Sequence, residues 1–321
     1  GDNRKVININ TDTRTLCDGE VFLALKGPNF DGHKFIEQAK QKGAIGVIVD
    51  HAVDTDIAQF VVADTRIALG TIGTAVMAQV APKTIAITGS VGKTTVKEMC
   101  AAILSSKGDV LATKGNFNND IGVPLTLLRL EPQHRFAVIE LGANHIGEIA
   151  YTTAMTKPDV AVVCNVAAAH LEGFGSLQGV AQAKGEIYDG LKEDGIAIVN
   201  CDSDFSQYWL DKLATRNIKC FSSSEKLDIW AEDISLDAQA RASFTLCTKQ
   251  HSVPVKLALP GKHNISNALI AAALTSEFDV SLEEIASALA TMGEVKGRVN
   301  LIEASDSLTI IDDTYNANVQ S

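Results

Sequence analysis

Aromatic residues make up only 5% of this 321-residue chain, and two of them are tryptophan. No apolar run approaches the roughly 18 residues that span a bilayer, so no membrane insertion is expected. The N-terminal Gly1-Asp-Asn-Arg-Lys5 has no apolar core of a secretory signal. The six cysteines, at positions 17, 100, 164, 201, 220 and 247, are scattered and form no C-x-x-C pair. Their spacing fits neither a disulfide framework nor a zinc module, which leaves reduced thiols and a cytoplasmic setting. The seven histidines form no H-E-x-x-H pattern. Positive charge is also short: 28 Lys and Arg against 39 Asp and Glu give a net charge of −11. That balance excludes nucleic acid as a general partner, and it requires local cations wherever a polyphosphate binds.

What is present is an apolar run, Ile85-Ala86-Ile87, that breaks into Thr88-Gly-Ser-Val-Gly-Lys-Thr-Thr95. The order is strand, glycine-rich turn, helix start. Gly89 and Gly92 let backbone N–H groups approach an oxyanion, and the helix N-terminus favours negative charge. Lys93 is placed to reach terminal phosphates and Thr94 to ligate Mg²⁺. Gly89, Ser90, Val91, Gly92, Lys93, Thr94 and Thr95 are therefore the candidate nucleotide-binding loop, and ATP is the expected ligand. Ile87 stands where a full G-x-x-x-x-G-K-[ST] has glycine, so the pattern is the shorter G-x-x-G-K-T-T. The plain alternative is a turn in an ordinary βα unit.

The rest of the chain predicts an α/β fold. Residues 1–82 form a small α/β unit, with strands at 21–25, 45–49 and 60–63 and helices at 34–42 and 67–80. Residues 83–297 form a central domain of P-loop ATPase type, with a mostly parallel sheet. Its strands at 84–88, 136–141, 160–164 and 196–200 alternate with helices at 93–107, 146–155 and 177–191. Three shorter antiparallel strands are expected at 227–236, 241–248 and 252–259, then helices at 263–277 and 281–291. Residues 298–321 read as the start of a third α/β domain, with strands at 299–303 and 308–312.

Isolated residues carry weaker signals. Glu140 ends a strand beside the phosphate loop, where a metal ligand or a solvated carboxylate would equally sit. Asn165 and His170 follow the strand at 160–164, at the same sheet edge. Lys184 reads by spacing as part of a solvated helix face, paired weakly at most with Glu186 or Tyr188. Asn264 and Asn267 are i, i+3 neighbours at a helix start, so one can cap the helix and the other is left to read a base edge. Arg298 and Asp313 say little alone.

Taken in order, these residues resemble the Mur ligase superfamily, the ATP-dependent amide-forming enzymes of peptidoglycan assembly. The resemblance rests on Thr11-Asp-Thr-Arg14, the run from Ala24 to His33, the run from Thr113 to Pro124, Glu140-Leu-Gly-Ala-Asn-His145 and the run from Ala167 to Gly175. It is strongest to the branch that joins D-alanyl-D-alanine to UDP-N-acetylmuramoyl-tripeptide through an acyl phosphate. It implies that Lys93 binds ATP phosphates and that Thr94, Glu140 and His170 hold Mg²⁺. It further implies a carbamylated Lys184 that bridges to a second Mg²⁺. Lys93, Glu140, His170 and Lys184 then form the catalytic set. Asn264 and Asn267 fall at the adenine, Arg298 at the phosphates and Asp313 at the ribose. Thr13, Arg14, Lys26, Asp31 and His33 are implied for the UDP end, and Thr113, Asn116, Asn118 and Asn119 for the muramoyl-peptide. A monomer is expected. The resemblance also implies a further C-terminal domain, of which about the first two dozen residues are expected here. Another Mur-type amino-acid ligase, a P-loop switch ATPase and a binding fragment without ligase activity are the competing expectations.

Overall fold

Val21–Leu23 and Gly46–Val49 are short, wholly apolar and buried on both faces, as parallel strands covered on two sides require. In the computed structural model, which describes residues 5–168, 171–293, 300–305, 308–312 and 314, they form the centre of a four-stranded sheet. Its order is Ile9–Asn10, Val21–Leu23, Gly46–Val49, Ala58–Val61, all parallel. Side chains alternate between faces. Phe22, Val47 and Val49 join Leu16 and Ile36 in one core, while Val21, Leu23 and Ile48 join Leu69 in another.

This first unit comprises residues 1–80 together with 120–130. The added segment carries the helix Gly122–Leu127, whose flanking Ile121 and Leu128 pack on the second core. It lies against the helix Thr65–Val80 where a Cβ on Gly73 would sit 3.0 Å from Pro124 Cβ, so a side chain there would have to displace Pro124 by a few tenths of an ångström. The boundary expected at 82/83 is thus interrupted by one excursion. The helix expected at 34–42 is split into a 3₁₀ turn, Gly32–Phe35, and an α-helix, Ile36–Gln41. Asp31 caps the turn by accepting from His33 N.

The second unit, residues 81–119 and 131–321, is built on a nine-stranded sheet. From one edge the order is Ser252–Pro260, Arg241–Thr248, Ile229–Leu236, Asn217–Ser222, Ile196–Asn200, Val160–Val163, Lys83–Thr88, His134–Glu140 and Asp109–Ala112. The first two pairings are antiparallel and the rest parallel. The three segments expected as antiparallel strands therefore extend the main sheet, through the parallel pairing of Ile229 with Phe221. Helices Lys93–Leu104, His263–Thr275 and Leu282–Thr291 share one core with Ile85, Ile87 and Val138. The helix Leu177–Asp189 packs elsewhere on the sheet. Its buried Tyr188 hydroxyl donates to Ile198 O at 2.8 Å and accepts from Val163 N at 3.1 Å.

The chain runs from Lys83–Thr88 to strands on one side of it, then crosses to Val160–Val163 on the other. The carboxyl end of Lys83–Thr88 is consequently a topological switch point, the place where open α/β sheets bind ligands. Register sets Glu140 opposite Ile87 and Val163 opposite Thr88 at that edge.

Candidate active site

The phosphate loop leaves the switch-point strand and turns into the helix Lys93–Leu104 through Gly92, whose φ of +82° is left-handed. No side chain caps this helix, so its first N–H groups and dipole face the loop. Lys93 Nζ donates to Gly89 O at 2.8 Å. Asn165 shapes the loop: its Oδ1 accepts from Ser90 N and Val91 N at 3.1 and 2.9 Å, and its Nδ2 donates to Val91 O at 2.8 Å. Sequence reasoning placed Asn165 at the right edge without a role. The signal was its position immediately after a buried strand beside the phosphate loop.

Glu140 is 2% exposed. Its Oε2 accepts from the Thr94 hydroxyl at 3.0 Å and its Oε1 from Asn118 Nδ2 at 2.8 Å, while its N–H donates to Thr113 Oγ1 at 3.0 Å. The solvated-carboxylate alternative is thereby excluded. These side-chain partners are neutral, and a buried carboxylate is costly without a cation. Carboxylate and hydroxyl are hard oxygen donors, so the pair fits Mg²⁺. Thr113 and Asn118, implied by the resemblance to face the muramoyl-peptide, both hydrogen-bond Glu140. Thr113 is 1% exposed and its carbonyl accepts from buried Lys97 Nζ at 2.7 Å, a tie that sequence reading missed. Asn116 and Asn119 lie exposed on the same loop. His170, Arg298 and Asp313 fall outside the described residues.

Lys184 is 5% exposed, not part of a solvated face. The helix Leu177–Asp189 buries most of its circumference, which spacing alone does not reveal. Burial, helped by the positive charge of Lys93 and opposed by Cys164, pulls the Lys184 ammonium down to about 7. Glu186 does not pair with it. Its carboxylate accepts from Gly147 N and Ala150 N at 2.8 and 3.0 Å, at the start of the helix Glu148–Thr156.

Asn264 and Asn267 also depart from expectation. Lys262 holds the N-cap position, and neither asparagine caps the helix. Asn264 Nδ2 donates to Pro260 O at 2.7 Å, and Asn267 Nδ2 donates to Asn264 Oδ1 at 2.9 Å. A Cβ on Gly92 would lie 2.8 Å from Asn267 Oδ1. The asparagine pair therefore backs the phosphate loop, and the amide expected to be left over is engaged. Gly92→Ala adds this contact to a left-handed strain of about 1–2 kcal/mol. It is expected to weaken ATP binding at least about tenfold, measured by calorimetry; unchanged affinity would refute this account of the loop.

In the first unit, a cleft of about 640 Å³ is lined by Thr11, Asp12, Thr13, Arg14, Phe22, Phe30, Phe35 and Gln38. Phe30 and Phe35 stack at 5.5 Å with 15° between planes. Thr13 Oγ1 donates to Gln38 Oε1 at 2.9 Å, and the Arg14 guanidinium forks onto Asp12. Of the five residues implied for the UDP end, the lining brings together Thr13 and Arg14. Lys26 and Asp31 pair across a two-residue hairpin, and Asp31 turns to His33.

Residues 87–275 match the Mur ligase middle domain, and residues 5–107 match the domain described as Mur ligase family, catalytic domain. The chain belongs to the Mur ligase family. It is 50% identical over 314 residues to the UDP-N-acetylmuramoyl-tripeptide–D-alanyl-D-alanine ligase of Escherichia coli, covering 98% of this chain and 69% of that protein. The Bacillus subtilis ligase of the same name is 35% identical over 316 residues, covering 98% and 68%. Among solved structures, MurF from Acinetobacter baumannii superposes with a TM-score of 0.95 at 44% identity, over 99% of this chain and 69% of that one. The MurF ligase from Thermotoga maritima in complex with ADP gives 0.87 at 29% identity, over 100% and 74%. These Mur ligase relatives place the chain in the D-alanyl-D-alanine-adding branch of the family. No helix among the described residues is long and apolar enough to cross a membrane.

Proposed function

We propose that the protein is an ATP-dependent ligase that joins D-alanyl-D-alanine to UDP-N-acetylmuramoyl-tripeptide, a step of peptidoglycan precursor synthesis in the cytoplasm. The observation that carries this reading is a buried, weakly basic Lys184 in the electrostatic field of the phosphate-loop lysine. A switch ATPase has no need of it, whereas a carbamate can form only on a neutral amine. The neutral amine adds to CO₂ and loses one proton, which leaves a buried carboxylate on the side chain.

The reaction has two steps. The tripeptide's terminal carboxylate takes the γ-phosphoryl group of ATP, giving an acyl phosphate and ADP. The amine of D-alanyl-D-alanine then attacks the acyl carbon, phosphate leaves and the amine sheds a proton. Two anions must meet in the first step, so positioning and charge neutralisation dominate the catalysis. Lys93 and the uncapped helix start hold the triphosphate. Thr94 and Glu140 would hold one Mg²⁺, with His170 and the carbamylated Lys184 toward a second. Bound Mg²⁺ supplies charge neutralisation of the phosphates. Asn118 and Thr94 hold the Glu140 carboxylate, Thr113 holds the Glu140 backbone N–H, and Lys97 fixes Thr113 through its carbonyl. Arg298 and Asp313 are assigned to the nucleotide phosphates and ribose, Asn264 and Asn267 to the adenine side, and Asn116 and Asn119 to the muramoyl-peptide. The aromatic cleft with Thr13 and Arg14 is assigned to the uridine end.

ADP release from MgATP, measured with the two acceptor substrates each present or absent, tests the reading. Release is expected only when both are supplied. Release without the tripeptide substrate would favour a switch ATPase. No release, with the tripeptide substrate still raising the melting temperature, would replace ligation by binding alone, a reading that coverage of 69% of the Escherichia coli relative keeps in view.

A further inference from the structure

Thr88 closes the strand Lys83–Thr88 immediately before the phosphate loop and is 0% exposed. Its carbonyl is engaged, accepting from Cys164 N at 2.8 Å. Its hydroxyl is buried and has no hydrogen-bond partner among the described residues. Buried hydroxyls are rarely left unmatched, so this one calls for an acceptor.

Alternation along the strand gives the side from which that acceptor comes. Ile85 and Ile87 face the core shared with Lys93–Leu104, the helix whose start faces the phosphate loop. Thr88 therefore faces the opposite layer. The helix Leu177–Asp189 contacts the same strand yet contributes no residue to that core, so it covers the face of Thr88. The register narrows the place further. Tyr188 reaches the N–H of Val163, and Val163 stands opposite Thr88 in the sheet. Lys184 precedes Tyr188 by four residues, so the two share one face of the helix. Val160–Val163 and Ile196–Asn200 are parallel neighbours, so the helix between them runs back from the carboxyl edge. Lys184 consequently lies one turn, about 5.4 Å, nearer that edge than Tyr188. It stands on the face of Thr88, at the end of the strand that Thr88 closes. We propose that the Thr88 hydroxyl donates to the carbamate on Lys184 and is a positioning residue for it. This rests on the carbamate reading of Lys184 and adds the group that holds the carbamate. The amine nitrogen bonds to the carbon of CO₂ and releases one proton to solvent, and a new carboxylate oxygen accepts from Thr88. A carboxylate buried under this layer needs such a donor. The phosphates are the other acceptors at this edge, but the helix start that holds them lies on the face of Ile87.

The test is ¹³C NMR of the full chain titrated with ¹³C-bicarbonate, the source of CO₂, alongside thermal unfolding in CO₂-free buffer. Lys184→Met assigns the carbamate resonance by removing it. Thr88→Val keeps the shape and loses the hydroxyl, and Thr88→Ser keeps the hydroxyl. Thr88→Val is expected to need about 10–100-fold more bicarbonate for half occupancy, the strength of one hydrogen bond to a charged group. Thr88→Ser should stay near the parent. Without CO₂, Thr88→Val should melt no lower than the parent, because an unmatched hydroxyl gives way to a methyl. An unchanged bicarbonate requirement in Thr88→Val overturns the assignment of Thr88 while leaving the carbamate in place. A lower melting temperature in Thr88→Val also overturns it, since the hydroxyl would then have a partner without the carbamate. If the parent shows no carbamate resonance, the reading of Lys184 fails and this proposal fails with it.

Discussion

Lys184→Ala is expected to lower ligation on the order of 10³-fold, at the upper end of what removing one charge-stabilising group costs. Bicarbonate with a small carboxylate such as formate or acetate is expected to restore part of it. The cavity left by the truncated side chain lets a free carboxylate stand where the carbamate stood. Normal turnover in Lys184→Ala would sink the assignment. A second readout separates chemistry from packing. The unfolded lysine keeps its proton to about 10.5, but the folded one only to about 7. Between those values the unfolded chain binds one more proton, so this group's contribution to stability rises with pH across that window. Below pH 7 its burial penalty is fully present. In CO₂-free buffer, the stability of the parent relative to Lys184→Met is expected to climb from pH 7 towards 10.5, at up to about 1.4 kcal/mol per pH unit. A flat difference would mean that Lys184 stays charged in the fold and unavailable to CO₂.

Much of this architecture was legible because local signals agreed with the fold. The switch-point strand and its helix were readable from apolar runs bounded by Gly89 and Gly92, where period, turn chemistry and helix start coincide. The strand Asp109–Ala112 escaped notice because it is a four-residue edge strand with one fully buried position. Asn217–Ser222 escaped because its first four residues are not fully buried and so carry no clean alternation. Lys184 shows the limit most clearly. A lysine at helical spacing reads as solvated, and only the layer packed over its helix makes it buried and weakly basic. The asparagine pair at 264 and 267 was located correctly by helical periodicity, but its bonding runs to Pro260 and within the pair, with Asn267 against Gly92, which periodicity does not report. Thr113 and Asn118 likewise sit in a run that the family resemblance assigns to substrate contact, and their hydrogen bonds to Glu140 are tertiary ties that no local pattern reports. Composition marks a polar loop, and tertiary packing decides which face of it meets the ligand.

Glu140→Gln separates the charge of the buried carboxylate from its hydrogen bonds. The amide is isosteric: its oxygen can still accept from Asn118 Nδ2, and its –NH₂ can donate to the Thr94 hydroxyl, which reverses one bond and breaks none. The Thr113 tie runs through the backbone and is untouched. Folding stability should therefore hold or rise slightly, because a buried charge is replaced by a neutral group of the same shape. Turnover should fall on the order of 10²–10³-fold, with a higher Mg²⁺ concentration needed for half-maximal rate, because the hydroxyl of Thr94 alone is a weak magnesium ligand. A structural role for Glu140 predicts the reverse pattern, a lower melting temperature with an unchanged Mg²⁺ requirement. Thermal unfolding and a Mg²⁺ titration of kcat on the same preparation distinguish the two. If the variant turns over normally at the parent's Mg²⁺ concentration, the metal belongs elsewhere along this sheet edge. The hydrogen bonds from Thr94 and Asn118 would then serve only to bury an acid.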